Sequence, residues 1–196
     1  MIKSCKKCRR EGDKLMLKGD RCFSAKCAIV RRPYAPGQHG PTSRTKLSEF
    51  GRQLREKQKV KKIYGLSEKD LSRIYATASK SSGNTAETMT ATIESRIDNL
   101  VYRCGVGTSR SESRQIVAHN HVLVDARKLS SPSAIVHPGH KISFDKTIKL
   151  DSKKLTISSW IKYDEKSKSF EYLHSPSKDE IDLNIDEKLV VEFYSR

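Results

Sequence analysis

The stretch of sequence that decides the fold covers residues 85–105 and reads TAETMTATIESRIDNLVYRCG. Its apolar side chains recur at every third or fourth position and form a stripe of Met89, Ile93, Ile97, Leu100, Val101 and Cys104. This spacing places the stripe on one face of a helix, which Thr85 can cap and Gly105 can end. The pattern predicts one continuous amphipathic helix. Cys104 is then a small core residue rather than a metal ligand.

Downstream of this helix, the sequence predicts a short helix followed by strands. Ser109 and Glu112 have the spacing of a capping box, and Asn120 can end the helix in a left-handed turn. Residues 122–129 then predict a strand, a turn and a strand, and residues 142–144 a further strand. Short apolar runs between charged turns predict additional strands and loops at 155–157, 160–161, 170–173 and 189–194.

Upstream, two amphipathic helices and a loop are expected. Residues 47–65 carry apolar side chains at helical spacing, surrounded by Lys and Arg. A capping-box-like start at Ser67 and Asp70 opens a second helix, which ends near residue 82. Residues 31–41 contain too much Pro and Gly for a helix or strand, so we expect a loop that orders on binding.

The charge of the chain is strongly positive and uneven. Lys and Arg total 39 against 23 Asp and Glu, a net charge of +16, and residues 1–62 hold 19 of the cations but only 5 of the acids. This excess predicts a polyanionic partner, most simply a phosphate backbone. A disordered basic tail is the alternative. An anionic membrane surface fits less well, because no basic amphipathic helix with a Trp or Phe face is present.

Membrane insertion and secretion are not expected. No stretch approaches the roughly 20 consecutive apolar residues that a bilayer span needs. The first residues, MIKSCKK, lack the apolar segment of a signal peptide.

Four of the five cysteines have the spacing of metal ligands. Cys5 and Cys8 form a C-x2-C pair, and Cys22 and Cys27 form a C-x4-C pair. Two close thiol pairs separated by about a dozen residues predict one structural zinc ion, held by all four cysteines. Neighbouring cations favour the thiolate form that binds metal. Two disulfides or a redox-active pair are the alternatives. His39 could replace one thiolate, although a polar or phosphate contact from its loop fits better.

The segment from about residue 93 to 144 resembles a small RNA-binding module of two helices and a hairpin. The resemblance is carried by Glu94-Ser95-Arg96-Ile97-Asp98-Asn99-Leu100-Val101-Tyr102-Arg103, Ser109-Arg110, Arg114-Gln115-Ile116-Val117 and His121-Val122-Leu123-Val124. RNA-modifying enzymes and synthetases also carry this module, so it does not by itself name a function.

The remainder of the chain resembles the bacterial type of the small-subunit ribosomal protein S4 family. The matching motifs are Cys5-x2-Cys8-Arg9-Arg10-Glu11-Gly12, Arg31-Arg32-Pro33-Tyr34, Pro36-Gly37-Gln38-His39-Gly40, the stretch from Leu47 to Lys59, Ile63-Tyr64-Gly65 and Glu192-Phe193-Tyr194-Ser195-Arg196. The four cysteines are similar to those of the zinc-binding branch. The chain departs from the family at Asp125-Ala126, where Asn-Gly is usual. This pair makes a two-residue mirror-image turn energetically less favourable.

Together these features predict an α+β fold in four segments. We expect a basic zinc-knuckle and loop extension at 1–45, a helical domain at 46–92, the RNA-binding module at 93–146, and C-terminal strands and loops that pack back on the body at 147–196.

The resemblance implies a primary binder of small-subunit ribosomal RNA that nucleates assembly of the subunit body. It also implies neighbouring small-subunit proteins as partners, a contribution to decoding accuracy, and proximity to messenger RNA where it enters the subunit. The implied location is the ribosome of the bacterial cytoplasm, with a plastid-encoded copy as the alternative.

Folded RNA presents phosphates and 2′-hydroxyls more readily than base edges, so Arg, Lys and small polar side chains should contact it. The predicted RNA-binding residues are Arg9, Arg10, Arg31, Arg32, Tyr34, His39, Arg44, Lys46, Arg52, Arg55, Lys59, Lys62, Arg96, Arg103, Ser109, Arg110, Arg114, Gln115, His119 and Lys128. Tyr34 either stacks on a base or packs within the protein.

We do not expect an enzyme. The sequence has no Gly-rich phosphate loop and no nucleophile elbow. Its acidic cluster, Asp179, Glu180 and Asp182, is interpreted as a solvated turn or a protein contact. A free regulatory RNA-binding protein and an RNA-modifying enzyme that uses the same module are the rival functions.

Overall fold

The computed structural model describes residues 4–42, 46–148 and 155–196. Its contacts divide the chain into an N-terminal unit, residues 1–86 with 184–196, and a central unit, residues 87–183. The α+β class is confirmed by helices in the first unit and by helices and one antiparallel sheet in the second. The division into four segments stays a prediction. No helix in the described ranges is long and apolar enough to cross a membrane.

All the regular secondary structure in the described part of the N-terminal unit is helical. Its helices are α1 (Ser4–Glu11), α2 (Asp20–Phe23), α3 (Ala28–Arg31), α4 (Glu49–Ile63), α5 (Glu68–Ala78) and α9 (Glu187–Tyr194). Ser48 caps α4 by accepting a hydrogen bond from the Gly51 amide at 3.2 Å. The predicted capping box of α5 is present in full, since Ser67 and Asp70 each accept from the backbone amide of the other.

The final helix corrects a prediction, because residues 189–194 form α9 and not a strand. Asp186 caps α9 by accepting hydrogen bonds from the amides of Lys188 and Leu189 at 3.1 and 3.4 Å. The Phe193 ring stacks on Phe50 of α4 at 5.6 Å, and the two helices pack together. A short apolar run is compatible with the periodicity of a helix and with that of a strand. Here the N-cap and the packing against α4 favour the helix.

A charged cluster joins α4, α5 and α9. Lys57 of α4 is 5% exposed, and its Nζ lies 2.7 Å from Glu68 and 4.1 Å from the centre of the Phe193 ring. The Tyr194 hydroxyl donates a hydrogen bond to the same carboxylate at 3.0 Å. Partial burial by itself raises the pKa of Glu68, but hydrogen bonds from Lys57, Lys61 and Tyr194 outweigh it and lower this pKa to about 2.

The continuous helix predicted over residues 85–104 is wrong. The chain instead forms α6 (Thr85–Glu94) and α7 (Ile97–Arg103), with Arg96 in an extended conformation between them. The segment at 132–136 causes the break by replacing helical hydrogen bonds. The Ile97 amide donates to the Ala134 carbonyl at 2.9 Å, and the Val136 amide donates to the Ser95 carbonyl at 2.9 Å.

The central unit combines α7 and α8 (Arg110–Ala118) with five antiparallel strands. These are β1 (Val122–Val124), β2 (Arg127–Lys128), β3 (Lys141–Phe144), β4 (Ile161–Asp164) and β5 (Ser169–Tyr172), in the order β2-β1-β3-β5-β4. The predicted hairpin and strands at 142–144 and 170–173 are confirmed, whereas residues 155–157 form no strand. Ile142 pairs with Phe170, and both are fully buried in the core of this unit.

The turn between β1 and β2 shows how the chain accommodates Asp-Ala. Asp125 and Ala126 have φ values of 47° and 65°, as a mirror-image type I′ turn requires. The Asp125 carboxylate accepts a hydrogen bond from the Lys141 amide at 2.9 Å and pairs with His140. These two hydrogen bonds lower the pKa of Asp125. Side-chain contacts thus support a turn conformation that Asn-Gly adopts by itself.

Candidate nucleic-acid interface and metal site

Four cysteines converge in the N-terminal unit. Cys5 and Cys8 lie on α1, Cys22 lies on α2, and Cys27 directly precedes α3. They line one cavity of about 20 Å³, enough for a single water-sized particle. All five cysteines are free thiols, and the prediction that Cys104 lies in the core is confirmed by its complete burial.

The donor set around this cavity fits zinc. Burial raises the pKa of Cys8, a backbone hydrogen bond from Leu15 lowers it, and the charges of the other three sulfurs raise it further. A cation among the sulfurs would offset this repulsion and favour thiolates. Within the described ranges, no group of three or more His, Cys, Asp or Glu side chains is arranged to hold a metal ion.

Arg9 connects α1 to the Pro- and Gly-rich loop. Its Nε donates a hydrogen bond to the Tyr34 carbonyl at 2.9 Å, and its guanidinium lies 4.8 Å from the centre of the Tyr34 ring. Within the loop, a Cβ on Gly40 would lie 2.0 Å from the Ala35 carbonyl oxygen, so a larger residue would displace the turn. The loop thus has defined contacts within the protein. Tyr34 is half-buried and packs against Arg9.

Several cations predicted to bind RNA are paired with acids in the N-terminal unit. Glu11 pairs with Arg55 at 3.3 Å and also with Lys62. Lys59 is 8% exposed and lies 2.9 Å from Asp13. Burial lowers the pKa of Lys59, but its hydrogen bonds to Asp13 and Glu56 and the negative charges of these two acids together outweigh burial and raise it. The structure therefore gives Lys59 a role inside the protein rather than an exposed ammonium group.

The other predicted residues of this unit lie at its surface. The exposed set consists of Arg10, Arg31, Arg32, His39, Lys46 and Arg52. His39 does not line the cysteine cavity. Arg44 lies outside the described residues.

The central unit contains a buried carboxylate that orients three other side chains. Glu94 is fully buried, and Arg103 donates to its two oxygens at 3.0 and 2.7 Å. Asn99 donates to the same carboxylate and accepts a hydrogen bond from Arg110 Nε at 2.8 Å. The Arg103 guanidinium also lies 5.1 Å from the centre of the Trp160 ring. One acid thus fixes the directions of Arg103 and Arg110.

A second buried carboxylate holds two more arginines. Asp98 accepts hydrogen bonds from Arg96 at 3.1 and 2.8 Å and from Arg114 at 3.1 Å. Arg96 is 4% exposed, so the expectation that it faces a ligand is wrong. The Arg114 side chain is 48% exposed and can reach a partner. Ser109 is also buried, because its hydroxyl caps α8 by accepting from the Glu112 amide.

The remaining predicted residues of the central unit are exposed. Gln115 lies on α8, His119 directly follows this helix, and Lys128 ends β2. Asn120 has a φ of 63°, which confirms the predicted left-handed turn after α8.

Sequence patterns did not single out three residues whose positions the structure shows. Glu94 and Asp98 orient arginines of the central unit. The helical spacing of the apolar residues does not predict these contacts, because the partners lie far along the sequence. Phe23 is 77% exposed on α2, in the most basic part of the chain. Its position between Cys22 and Cys27 was the available signal, since a large aromatic residue in such a polar segment has no core to enter.

Comparisons with known proteins agree with this architecture. Residues 2–94 match the family model of the ribosomal protein S4/S9 N-terminal domain, and residues 95–142 match that of the S4 domain. A small ribosomal subunit protein uS4 from Ruminiclostridium cellulolyticum is 44% identical, covering 98% of this chain and 97% of that protein. The chain belongs to the ribosomal protein S4 family. Others named uS4, from Halothermothrix orenii and Azoarcus sp., are 45% and 43% identical, each covering 98% of this chain and 96% of their own length.

Membership of the ribosomal protein S4 family agrees with the two sequence resemblances. The boundary between the two family models, at residues 94 and 95, coincides with the break between α6 and α7. Since the family consists of ribosomal proteins, membership also supports the expectation that the chain is not an enzyme.

Replacement of Glu94 by Gln should destabilise the central unit. The substitution leaves Arg103 without its buried countercharge, which costs about 3 to 5 kcal/mol of unfolding free energy. Urea unfolding followed by the fluorescence of Trp160, the single Trp, measures this loss. The exposed Glu165→Gln variant is the control and should unfold like the wild type. A loss below about 1 kcal/mol for Glu94→Gln, the range of surface pairs, would contradict the role given to Glu94.

Proposed function

We propose that this chain is a structural component of the small ribosomal subunit and a primary binder of its ribosomal RNA. The end-to-end match to proteins named uS4 carries the proposal. The proposed function also includes nucleation of the assembly of the subunit body and a contribution to decoding accuracy. Neighbouring small-subunit proteins and messenger RNA near its point of entrance are the other proposed partners, and the proposed location is the bacterial cytoplasm.

The proposed RNA surface of the N-terminal unit consists of its exposed cations. Arg10 on α1, Arg31 at the end of α3 and Arg52 on α4 are all solvent-exposed. Phosphates bound by such side chains release condensed counterions, which is the main source of affinity for a folded RNA. The cations paired with Glu11 and Asp13 support this surface from within.

The proposed RNA surface of the central unit is formed by α8 and the β1–β2 hairpin. Arg114 projects from α8 while Asp98 holds one of its nitrogen atoms. Arg110 lies 4.4 Å from the centre of the Tyr102 ring, and its direction is fixed by Asn99. Guanidinium groups held in fixed directions lose less conformational entropy when they bind phosphate.

One structural zinc ion held by Cys5, Cys8, Cys22 and Cys27 is part of the proposal. Support comes from the convergence of all four thiols on one small cavity. The segment around them has few apolar side chains, so a metal would supply folding free energy that its core lacks. Zinc also neutralises thiolate charge without adding a redox-active centre.

Cofractionation with the small subunit tests the ribosomal role. A tagged chain expressed in a bacterium should migrate with the small-subunit peak of a sucrose gradient, and its Arg31→Glu, Arg32→Glu variant should shift towards the top because charge reversal repels phosphate. Circular dichroism of the variant checks that it is folded. A wild-type chain found only at the top of the gradient would contradict the proposal and favour a free regulatory protein.

Metal analysis of cysteine variants tests the zinc site. The wild type and the Cys104→Ala control should each contain about one zinc per chain, while Cys8→Ser should lose the metal because it removes one of four ligands. The first 30 or so residues of Cys8→Ser should become sensitive to protease, and its RNA affinity should fall. Zinc-free wild-type protein, or unchanged protease resistance and RNA affinity in Cys8→Ser, would overturn the assignment.

A further inference from the structure

A pocket of about 280 Å³ lies in the central unit between the end of α8 and the chain that follows β3. Two of its side chains, Gln115 and His119, are among the residues predicted from the sequence to bind RNA. Its lining residues are Glu112, Gln115, Ile116, His119, His121 and Ile148.

The left-handed turn at Asn120 creates this pocket. It reverses the chain so that the rings of His119 and His121 lie 6.2 Å apart at an angle of 49°. His121 is held from both sides, because its amide donates to the Ile116 carbonyl at 3.3 Å and its carbonyl accepts from the Asp145 amide at 2.9 Å. The His121 ring is itself held by a hydrogen bond between its Nδ1 and Thr147 Oγ1 at 3.1 Å, and the two rings form an aromatic edge of the pocket.

The lining of the pocket differs in charge from the rest of the protein. The chain has a net charge of +16, yet neither Lys nor Arg is among the six lining residues, and one of them is an acid. Among the described lining residues, no Lys or Arg would offset the repulsion between a phosphate group and the Glu112 carboxylate. Ile116 and Ile148 instead offer an apolar surface. This combination fits a flat, uncharged heteroaromatic group better than an anion.

The polar groups of the pocket can also distinguish one base from another. Glu112 Oε2 accepts hydrogen bonds from the Thr108 amide and hydroxyl at 2.7 and 2.6 Å. Among the described residues Oε1 has no such donor, so it can accept from an amino group of a ligand. The exposed Gln115 amide supplies both a donor and an acceptor. Adenine and cytosine carry an exocyclic amino group, whereas uracil does not.

We propose that this pocket binds one unpaired, amino-bearing nucleobase of an RNA, stacked against His119 and His121 with its amino group on Glu112. The inference deepens the proposed RNA-binding function and rests on it. Unpaired bases are the part of RNA that proteins read most readily, and an aromatic side chain stacked on a base contributes about 1 to 3 kcal/mol.

A titration of the full-length, zinc-loaded protein with small probes tests this proposal. The ring signals of His119 and His121 are followed by NMR while adenosine 5′-monophosphate, uridine 5′-monophosphate or ribose 5-phosphate is added. Adenosine monophosphate should shift both histidines, uridine monophosphate should bind more weakly, and ribose 5-phosphate should leave them unchanged. Equal shifts with ribose 5-phosphate would identify a phosphate site and overturn the proposal, as would the absence of shifts with adenosine monophosphate.

Variants separate stacking from base selection. His119→Ala combined with His121→Ala should weaken adenosine monophosphate binding about fivefold or more, while His119→Phe with His121→Phe should retain it because the flat rings remain. Glu112→Gln should reduce the preference for adenine over uracil. Glu165→Gln, the same change at an exposed position outside the pocket, should leave that preference unaltered. An unchanged preference in Glu112→Gln, or unchanged affinity in the double Ala variant, would refute the assignment.

Binding of the same proteins to small-subunit ribosomal RNA is measured in parallel. If the wild type binds this RNA but its histidines do not respond to adenosine monophosphate, only the nucleobase pocket is refuted. If the wild type fails to bind the RNA, the proposed function fails, and a response to adenosine monophosphate would then report nucleotide binding unrelated to a ribosome.

Discussion

The repulsion among cations in the first third of the chain is the constraint on which the rest of the structure depends. Residues 1–62 contain 19 Lys and Arg but only 5 Asp and Glu. An acid in this segment can therefore be expected to pair with more than one cation. Glu11 accordingly serves both Arg55 and Lys62, and Glu68 from the next helix serves both Lys57 and Lys61. Cations for which the described residues supply no paired acid, such as Arg31 and Arg32, lie at the surface, where an anionic partner can neutralise them.

This sorting of charges connects stability with function. In the central unit the acids Glu94 and Asp98 are buried. Both orient arginines through direct hydrogen bonds. Removing one partner of a buried ion pair leaves an uncompensated buried charge, which costs free energy. The arginines paired with Glu94 and Asp98 are therefore held in position. Arg96 is held inside the fold. Arg114, half-exposed, retains nitrogen atoms for a phosphate while Asp98 limits its motion.

Local patterns in the sequence predicted the local structure well. The capping box at Ser67, the N-cap at Ser109, the turn at Asn120 and the strands around Val122 and Ile142 each depend on residues close in sequence, and each is confirmed. The predicted capping box at Ser109 is only half formed, since the Glu112 carboxylate accepts from the Thr108 amide instead. The break at Arg96 and the helix at 187–194 depend on distant partners, the segment 132–136 and α4. Ion pairs such as Lys59 with Asp13 also join distant residues, which is why composition predicted a basic surface without separating exposed cations from buried ones.

The salt dependence of binding to small-subunit ribosomal RNA tests this sorting most directly, with two matched double variants. Arg31→Gln with Arg32→Gln removes two exposed cations and should reduce the slope of log affinity against log salt by about 0.9 for each phosphate that is no longer neutralised. Arg55→Gln with Lys62→Gln removes the two partners of Glu11 and should lower stability while leaving the slope close to that of the wild type. An equal reduction of the slope in both variants, or a reduction only in the second, would contradict the account.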